Sequence, residues 1–139
     1  MDKKDVIGLL GKAPLFSRLS KKGLEAILKS ATEKSFGAGE KILQEGESGV
    51  GFYQILEGSA QVTRGDTELA RLGPGDFFGE LAVLDGEPRT ADVVALEDTT
   101  CLILTRWAMK SIIPAHPDVA LGMLEELARR LRESNRALS

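Results

Sequence analysis

A glycine-rich segment near the middle of the chain, residues 75–91, holds the residue types best suited to binding a charged small molecule. Gly79 lacks a side chain, so the backbone there can approach a bound molecule closely. The amides of residues 80–82 are expected to open a short helix and to point at an anion. Arg89 can reach the same anion with a planar fork of N–H donors, and Glu80 can accept a hydrogen bond from a sugar hydroxyl. The segment therefore predicts a site for a phosphate beside a ribose.

The same segment has a second interpretation, in which no ligand is involved. Glycine-rich turns near an arginine are common in proteins of any function. Glu80 and Arg89 could also form a buried ion pair whose only role is structural. The spacing of these residues, taken alone, leaves both interpretations open.

Composition argues against most other kinds of chemistry. The 139 residues include one histidine, His116, and one cysteine, Cys101. A metal enzyme of the cupin type would need several histidines and carboxylates around one metal, and a catalytic triad would need a histidine beside a nucleophile. Cys101 lies in an apolar segment with no adjacent base, where packing is the simpler role. We therefore expect no enzymatic activity, no catalytic residue, no metal site and no cofactor.

Length and charge indicate one small soluble domain covering residues 1–139. The formal net charge of −3 argues against a domain whose main task is to bind nucleic acid. No apolar run approaches the roughly 20 residues that cross a membrane. A single cysteine cannot form an internal disulfide, so we expect a reducing, cytoplasmic setting. The chain alone is thus expected to contact neither membrane nor nucleic acid.

Hydrophobic periodicity divides the domain into three parts. Residues 4–31 form a helical entry of two amphipathic segments, with Ser20 as the N-cap of the second. Residues 33–105 contain short segments separated by turns, among them a hairpin at Gly65-Asp66. Residues 106–138 return to helical spacing and end in one long helix. The strands named by this pattern are Phe52–Leu56, Ala60–Thr63, Thr67–Leu72, Asp92–Leu96 and Cys101–Thr105. The predicted fold is mainly β with flanking α: an antiparallel, jelly-roll-like β-roll between N-terminal helices and a long C-terminal helix.

The segment Phe78-Gly79-Glu80-Leu81-Ala82, followed by Pro88-Arg89-Thr90-Ala91, resembles the phosphate-binding cassette of the cyclic nucleotide-binding domain family. That family includes bacterial catabolite activators, regulatory subunits of cyclic-nucleotide-dependent kinases and cyclic-nucleotide-gated channels. Other stretches that look like the family's roll and helical entry are residues 36–42, 44–46, 52–53, 56–60 and 15–20. The resemblance covers nearly the whole chain and implies a β-roll that holds cyclic AMP or cyclic GMP.

The resemblance implies a role for each cassette position. Glu80 would bind the ribose 2′-hydroxyl, and Arg89 would hold the cyclic phosphate with help from Thr90. Three further positions would contribute mainly backbone contacts: Gly79, Leu81 and Ala82.

The base would lie against the inner face of the roll. Val62 and Leu69 are the candidates for apolar contact with it, and ordinary core packing is the alternative for both. Thr90 stands where a hydroxyl favours guanine in some kinases, although channels that prefer cyclic AMP also carry threonine there. Asp92 departs from the small or hydroxyl residue usual in the family. Strand alternation counted from Thr90 places Asp92 inward, where its charge would weaken phosphate binding.

The C-terminal helix resembles that of the bacterial activators around Ala128-Arg129-Arg130-Leu131. The resemblance places Arg130 against the cassette glutamate, Glu80. It places Ser134 and Asn135 near the adenine amine, one of them across a dimer. A solvated helix end is the alternative for Ser134 and Asn135.

The same helix carries a heptad-like apolar stripe, made of Ala120, Leu124, Leu127, Leu131 and Leu138, with Ser134 completing the seam. In one interpretation the stripe packs on the chain's own roll. In the other it forms a homodimer, as in the bacterial activators. The resemblance of the long helix to that of the bacterial activators favours cyclic AMP over cyclic GMP as the ligand.

We therefore expect a cyclic nucleotide sensor that signals through its C-terminal helix to a protein partner or second subunit. A nucleotide-independent interaction module is one alternative, and a regulatory fragment of a larger channel, kinase or transcription regulator is another. The chain ends soon after the long helix, so we expect no helix-turn-helix module within it.

Overall fold

Helices flank two β-sheets in the part of the chain that the computed structural model describes, residues 3–12, 16–48, 51–79 and 89–138. The helices are α1 (Lys3–Lys12), α2 (Lys21–Ser30), α3 (Arg106–Ile112) and α4 (Asp118–Leu138). The strands are β1 (Thr32–Phe36), β2 (Lys41–Leu43), β3 (Gly51–Glu57), β4 (Ala60–Arg64), β5 (Thr67–Leu72), β6 (Phe77–Phe78), β7 (Asp92–Ala95) and β8 (Thr99–Thr105). The antiparallel β fold with flanking helices is confirmed.

Every described strand pairing is antiparallel. One sheet has the order β1-β8-β3-β6 and the other β2-β7-β4-β5, so neighbours in space are often distant in sequence. The predicted hairpin joins β4 to β5, and its turn at Gly65 has φ +61°, a conformation that glycine adopts without strain. The topology brings β6 against β3, which places Phe78, the first residue of the cassette, at a sheet edge.

Two hydrophobic clusters stabilise this arrangement. The inner cluster lies between the sheets and draws on both, for example through Ile55, Cys101 and Val93. The outer cluster joins the helices to the opposite face of the first sheet, where Phe52 is 2% exposed. Burial of one such side chain stabilises the fold by about 1.5–3 kcal/mol. β3 is buried on both faces because it contributes to both clusters.

The helix boundaries follow the capping signals in the sequence. The Ser20 hydroxyl accepts a hydrogen bond from the Gly23 amide at 3.2 Å, which confirms the predicted N-cap of α2. Thr105 caps α3 in the same way through the Ala108 amide. The last helix begins at Asp118, directly after Pro117, as predicted.

Cys101 lies on β8 and is completely buried in the inner cluster. Burial raises the pKa of its thiol to about 12. The thiolate, which is the reactive form, is therefore negligible at neutral pH. This agrees with a packing role for Cys101.

The long helix α4 packs on the body through a face that differs from the predicted stripe. Val119 and Met123 are buried in the outer cluster, at 0% and 4% exposure. Leu124 and Leu131, which belong to the stripe, are 62% and 63% exposed. The interpretation that these two leucines pack on the chain's own roll is therefore wrong. The face of α4 that packs on the body contains Val119 and Met123, which are four residues apart. The predicted apolar stripe lies on the neighbouring face of the helix.

Candidate functional site

Arg89 is held first by its backbone. Its amide donates to the Glu47 carbonyl at 2.9 Å, and its carbonyl accepts from the Gly46 amide at 2.9 Å. The turn between β2 and β3 therefore binds both sides of this one residue. Gly46, with φ +84°, allows the turn to bend into that position.

The Arg89 side chain is buried, at 7% exposure, and its guanidinium bridges two segments. Nη1 donates to the Gly79 carbonyl at 3.0 Å, and Nη2 donates to the Gly51 carbonyl at 2.9 Å. A guanidinium has five N–H donors in one plane, so it can bind backbone carbonyls and also present donors to a phosphate. These two hydrogen bonds fix the position and orientation of the Arg89 guanidinium beside Gly79.

Tyr53 supports the guanidinium from one side. The Arg89 guanidinium carbon lies 5.9 Å from the centre of the Tyr53 ring, within the range of a cation–π contact. Phe78 on β6 stacks on the Tyr53 ring, with the centroids 5.2 Å apart and the planes at 15°. Burial raises the pKa of Tyr53, and the nearby Arg89 charge partly opposes the rise. The three side chains form a layer that links β3, β6 and Arg89.

Gly79 is required by geometry as well as by conformation. Its φ is +82°, which side-chain-bearing residues rarely adopt. A Cβ at this position would lie 2.9 Å from Arg89 Nη1 and 2.9 Å from the Gly51 carbonyl oxygen. The structure thus shows the Gly79 backbone close to Arg89, and its close approach to a ligand stays a prediction.

A cavity of about 360 Å³ opens beside Arg89, within the size range of small-molecule sites. Arg89 and Tyr53 line it together with apolar side chains of β2 and β8 and polar residues of the β2–β3 turn. These are Ile42, Leu43, Ile103, Gln44, Glu47 and Ser48; Gly51 and Thr105 complete the lining. The combination of an apolar wall, a few polar groups and a buried cation suits a small anionic ligand.

A larger groove of about 700 Å³ lies between α1 and the β3–β4 turn. Its charged residues are balanced, with Lys4 and Lys12 opposite Asp5 and Glu57. Among the described residues that line it, both cations are exposed, so none is a buried cation that could hold an anion. Of these two spaces, the cavity beside Arg89 is therefore the candidate site for an anionic ligand.

The structure distributes the other described candidates around this centre. Thr90 is exposed, and its carbonyl accepts a hydrogen bond from Arg64 Nε at 3.1 Å. Val62 packs against the inner cluster, on the face where the base is expected. Leu69 is 48% exposed and sits at a β-bulge, since Val62 pairs with Ala70 and Thr63 pairs with Glu68. Neither Val62 nor Leu69 lines the 360 Å³ cavity.

Several candidates lie outside the described residues. Glu80, Leu81 and Ala82 all do, and so their implied contacts stay predictions. Arg130 and Ser134 lie on α4, but their side chains are outside the described part of the structure. Asn135 is exposed on the same helix.

The expectation that Asp92 faces inward is wrong. Val93 belongs to the inner cluster, so Asp92, its neighbour on β7, faces the opposite side. Its carboxylate accepts from the Glu45 amide at 2.7 Å and lies 3.2 Å from Lys41 Nζ. The Glu45 hydrogen bond and the Lys41 charge lower the pKa of Asp92. Alternation cannot be counted from Thr90 because β7 begins only at Asp92.

The sequence interpretation missed the residues that hold Arg89. Gly51, Tyr53 and Glu47 are 38, 36 and 42 positions away from it in the chain. Only the pairing of β3 with β6 and the fold of the β2–β3 turn bring them together. The local sequence around Tyr53, an aromatic residue within an apolar segment, predicts a strand but does not indicate a contact with Arg89.

Two features are absent from the described residues. No group of three or more His, Cys, Asp or Glu side chains is arranged to bind a metal ion there. No helix in that part of the chain combines the length and apolar character needed to cross a membrane.

Comparison with known proteins gives the family. The model of the cyclic nucleotide-binding domain matches residues 33–116. The cyclic AMP receptor protein of Thermus thermophilus is 36% identical over 128 residues, which are 88% of this chain and 59% of that protein. A CRP-like cAMP-activated global transcriptional regulator of Mycobacterium tuberculosis is 30% identical over 136 residues, 94% of this chain and 61% of the relative. The chain thus spans about three fifths of the length of these relatives.

Solved structures agree with the sequence relatives. The crystal structure of the Thermus thermophilus catabolite activator protein matches with a TM-score of 0.84 and 34% identity, covering 91% of this chain and 62% of that one. The regulatory domain of Toxoplasma gondii PKA, crystallised with cAMP, matches with a TM-score of 0.75 and 28% identity, covering 81% and 46%. The β-roll, the buried arginine beside a left-handed glycine and the family match converge on one conclusion: the chain belongs to the cyclic nucleotide-binding domain family.

Proposed function

We propose that this chain is a cyclic AMP sensor whose binding centre is Arg89. The observation that carries the proposal is the buried guanidinium, oriented by the carbonyls of Gly79 and Gly51, on a residue that lines a small cavity. A guanidinium has five N–H donors in one plane, so the groups that bind Gly79 and Gly51 leave the same cation able to bind an anion in the cavity. A cyclic phosphate supplies the matching negative charge.

Cyclic AMP is favoured over cyclic GMP by the relatives, since those from Thermus and Mycobacterium are named for cyclic AMP. In the proposal Arg89 and the amides of residues 80–82 bind the phosphate, and Glu80 binds the ribose 2′-hydroxyl. Val62 and Leu69 contact the base, which therefore extends beyond the 360 Å³ cavity, since neither residue lines it. Arg130 pairs with Glu80, and Ser134 with Asn135 reaches the adenine amine from the C-terminal helix.

Calorimetric titration with cyclic AMP, cyclic GMP and AMP tests the proposal. We expect saturable binding of cyclic AMP at one site per chain, weaker binding of cyclic GMP, and the weakest binding for AMP, whose phosphate is not closed into a ring. The Arg71→Ala variant, which removes an arginine that lies exposed on β5 beside Glu68, should bind cyclic AMP as the wild type does. Absence of heat from cyclic AMP, with the protein folded by circular dichroism, would refute the sensor.

The output of the sensor is proposed to pass through α4 to a second copy of the chain. The exposed Leu124 and Leu131 are one heptad apart on that helix, and Leu127 between them is half-buried. Such spacing is typical of helices that pair along an apolar seam. Arg129 and Glu133 form an ion pair at the edge of the stripe, where charges commonly flank such seams.

The proposal places the chain in the cytoplasm, with no nucleic acid bound by this domain alone.

The double variant Leu124→Glu with Leu131→Glu is expected to abolish self-association, because carboxylates would face each other across the seam. Light scattering after size exclusion should give about twice the 15.0 kDa chain mass for the wild type and the single chain mass for the variant. The control is Leu96→Glu, which changes an exposed leucine, 41% accessible, in the β7–β8 turn. A wild type that stays at the mass of one chain at high concentration would contradict this output.

A further inference from the structure

Gln54 is a polar residue in an apolar position. On β3 it stands between Phe52 and Leu56, which face the outer cluster at 2% and 1% exposure. Alternation along the strand places Gln54 on that same face, and it is 1% exposed. A buried amide is costly unless it forms hydrogen bonds, so its partners indicate its role.

The Gln54 side chain joins two segments that are far apart in sequence. Its Nε2 donates to the Leu9 carbonyl at 2.9 Å and to the Gly75 carbonyl at 2.9 Å. Leu9 lies among the last four residues of α1, whose carbonyls have no partner within the helix. Gly75 lies in the turn before β6. One amide group therefore fastens the end of α1 to that turn.

The turn is fixed closely at this junction. The Gly75 amide donates to the Ile55 carbonyl at 2.8 Å, and the Ile55 amide donates to the Asp76 carbonyl at 2.9 Å. Gly75 has φ +91°, and a Cβ there would lie 3.7 Å from Leu9 Cδ2. The end of α1, the turn and β3 are thus in direct contact.

The junction is four residues from the proposed phosphate site. After Gly75 the chain enters β6, where Phe77 pairs with Gln54 itself, and then reaches Gly79. The Gly79 carbonyl orients Arg89. A displacement of Gly75 is therefore carried by a short, paired strand to the group that binds the phosphate.

The acceptor of the same amide adds a second observation. Gln54 Oε1 is buried and accepts no hydrogen bond from the described residues. A methionine would fill a similar volume on this face without that cost. The function of Gln54 therefore lies in its two donated bonds and not in packing.

We propose that Gln54 is a positioning residue that couples the seating of helix α1 to the geometry of the Gly79–Arg89 pair. The inference rests on the proposed cyclic nucleotide site and extends it: nucleotide binding and docking of α1 stabilise each other. Because such coupling is reciprocal, any partner that displaces α1 lowers nucleotide affinity. The N-terminal helix becomes a second outlet of the signal, besides α4.

A double-mutant cycle measured without nucleotide tests the coupling. Val6→Ala weakens the seat of α1, since Val6 is buried in the outer cluster. Hydrogen exchange of amides 76–79 is followed relative to amides 101–104 on β8, which report global opening. We expect Val6→Ala to speed exchange at 76–79 in the wild type and to have no further effect in Gln54→Met. Gln61→Met, a half-buried glutamine on β4, is the control in which Val6→Ala should retain its effect. Equal effects of Val6→Ala with and without Gln54 would overturn the proposal.

Titration with cyclic AMP separates the Gln54 coupling from the proposed nucleotide site. The proteins titrated are the wild type, Val6→Ala, Gln54→Met and the double variant. Val6→Ala should weaken binding by about fivefold or more in the wild type and leave it unchanged in Gln54→Met. If no variant binds cyclic AMP while the exchange cycle shows coupling, the sensor is refuted and the Gln54 junction stands. If all bind and the two substitutions act independently, the junction is refuted and the sensor stands.

Discussion

Replacing Arg89 by alanine is expected to lower the affinity for cyclic AMP by about 30-fold to several thousand-fold, the range for truncating one member of a buried charge pair. The phosphate would lose the guanidinium that the structure orients through Gly51 and Gly79. Isothermal calorimetry of Arg89→Ala beside Arg71→Ala measures the difference. Arg71 has the same charge but lies exposed on β5, so its removal should leave the affinity unchanged.

The stability of Arg89→Ala must be measured in parallel. Without the guanidinium, two carbonyl oxygens in the interior lose their donors, which lowers the free energy of unfolding by about 1–3 kcal/mol each. Arg89→Lys is a useful intermediate, because an ammonium keeps the charge but cannot bridge the carbonyls as a planar fork does. A folded Arg89→Ala protein that binds cyclic AMP within a few-fold of wild type would contradict the assignment.

The second large effect is expected from Gly79→Ala. A Cβ there would meet Arg89 Nη1 and the Gly51 carbonyl oxygen, each at 2.9 Å. The guanidinium can shift, but the Gly51 backbone is fixed in β3, so the arginine would be pushed away from the phosphate. We expect at least a tenfold loss of affinity, roughly one 1.4 kcal/mol step.

The control for this variant is Gly39→Ala. Gly39 has φ +85°, close to the +82° of Gly79, so both substitutions introduce the same left-handed strain of about 1–2 kcal/mol. Apart from its chain neighbours, no described residue has an atom within 4 Å of a Cβ at Gly39, however. Both variants should therefore lose stability, and only Gly79→Ala should also lose nucleotide affinity. A similar fall in affinity for both would show that strain, and not the contact with Arg89, is responsible.

Much of the fold was predictable because its signals are local. The Ser20 cap, the hairpin at Gly65 and the start of the last helix after Pro117 each depend on a few neighbouring residues. The strands β1, β2 and β6 were not named from periodicity. β2 and β6 are only three and two residues long, too short for alternation to be visible.

The candidate site was predictable only in part. Its cassette is one continuous segment, so Arg89 and Gly79 could be named from spacing and resemblance. The supports of Arg89 come from Tyr53 and Gly51, whose proximity depends on long-range strand pairing. The prediction that Asp92 faces inward was wrong for a related reason, since side chains alternate between faces only within a strand. The exposure of Leu124 likewise depends on which face of α4 the outer cluster covers, and a periodic stripe does not specify that.

A crystal structure of the chain grown with cyclic AMP tests the central claim most directly. The claim predicts that phosphate oxygens lie about 2.7–2.9 Å from the Arg89 guanidinium, as in other charge-assisted hydrogen bonds. A nucleotide bound elsewhere, with Arg89 bonded to Gly51 and Gly79 and not to the phosphate, would contradict it.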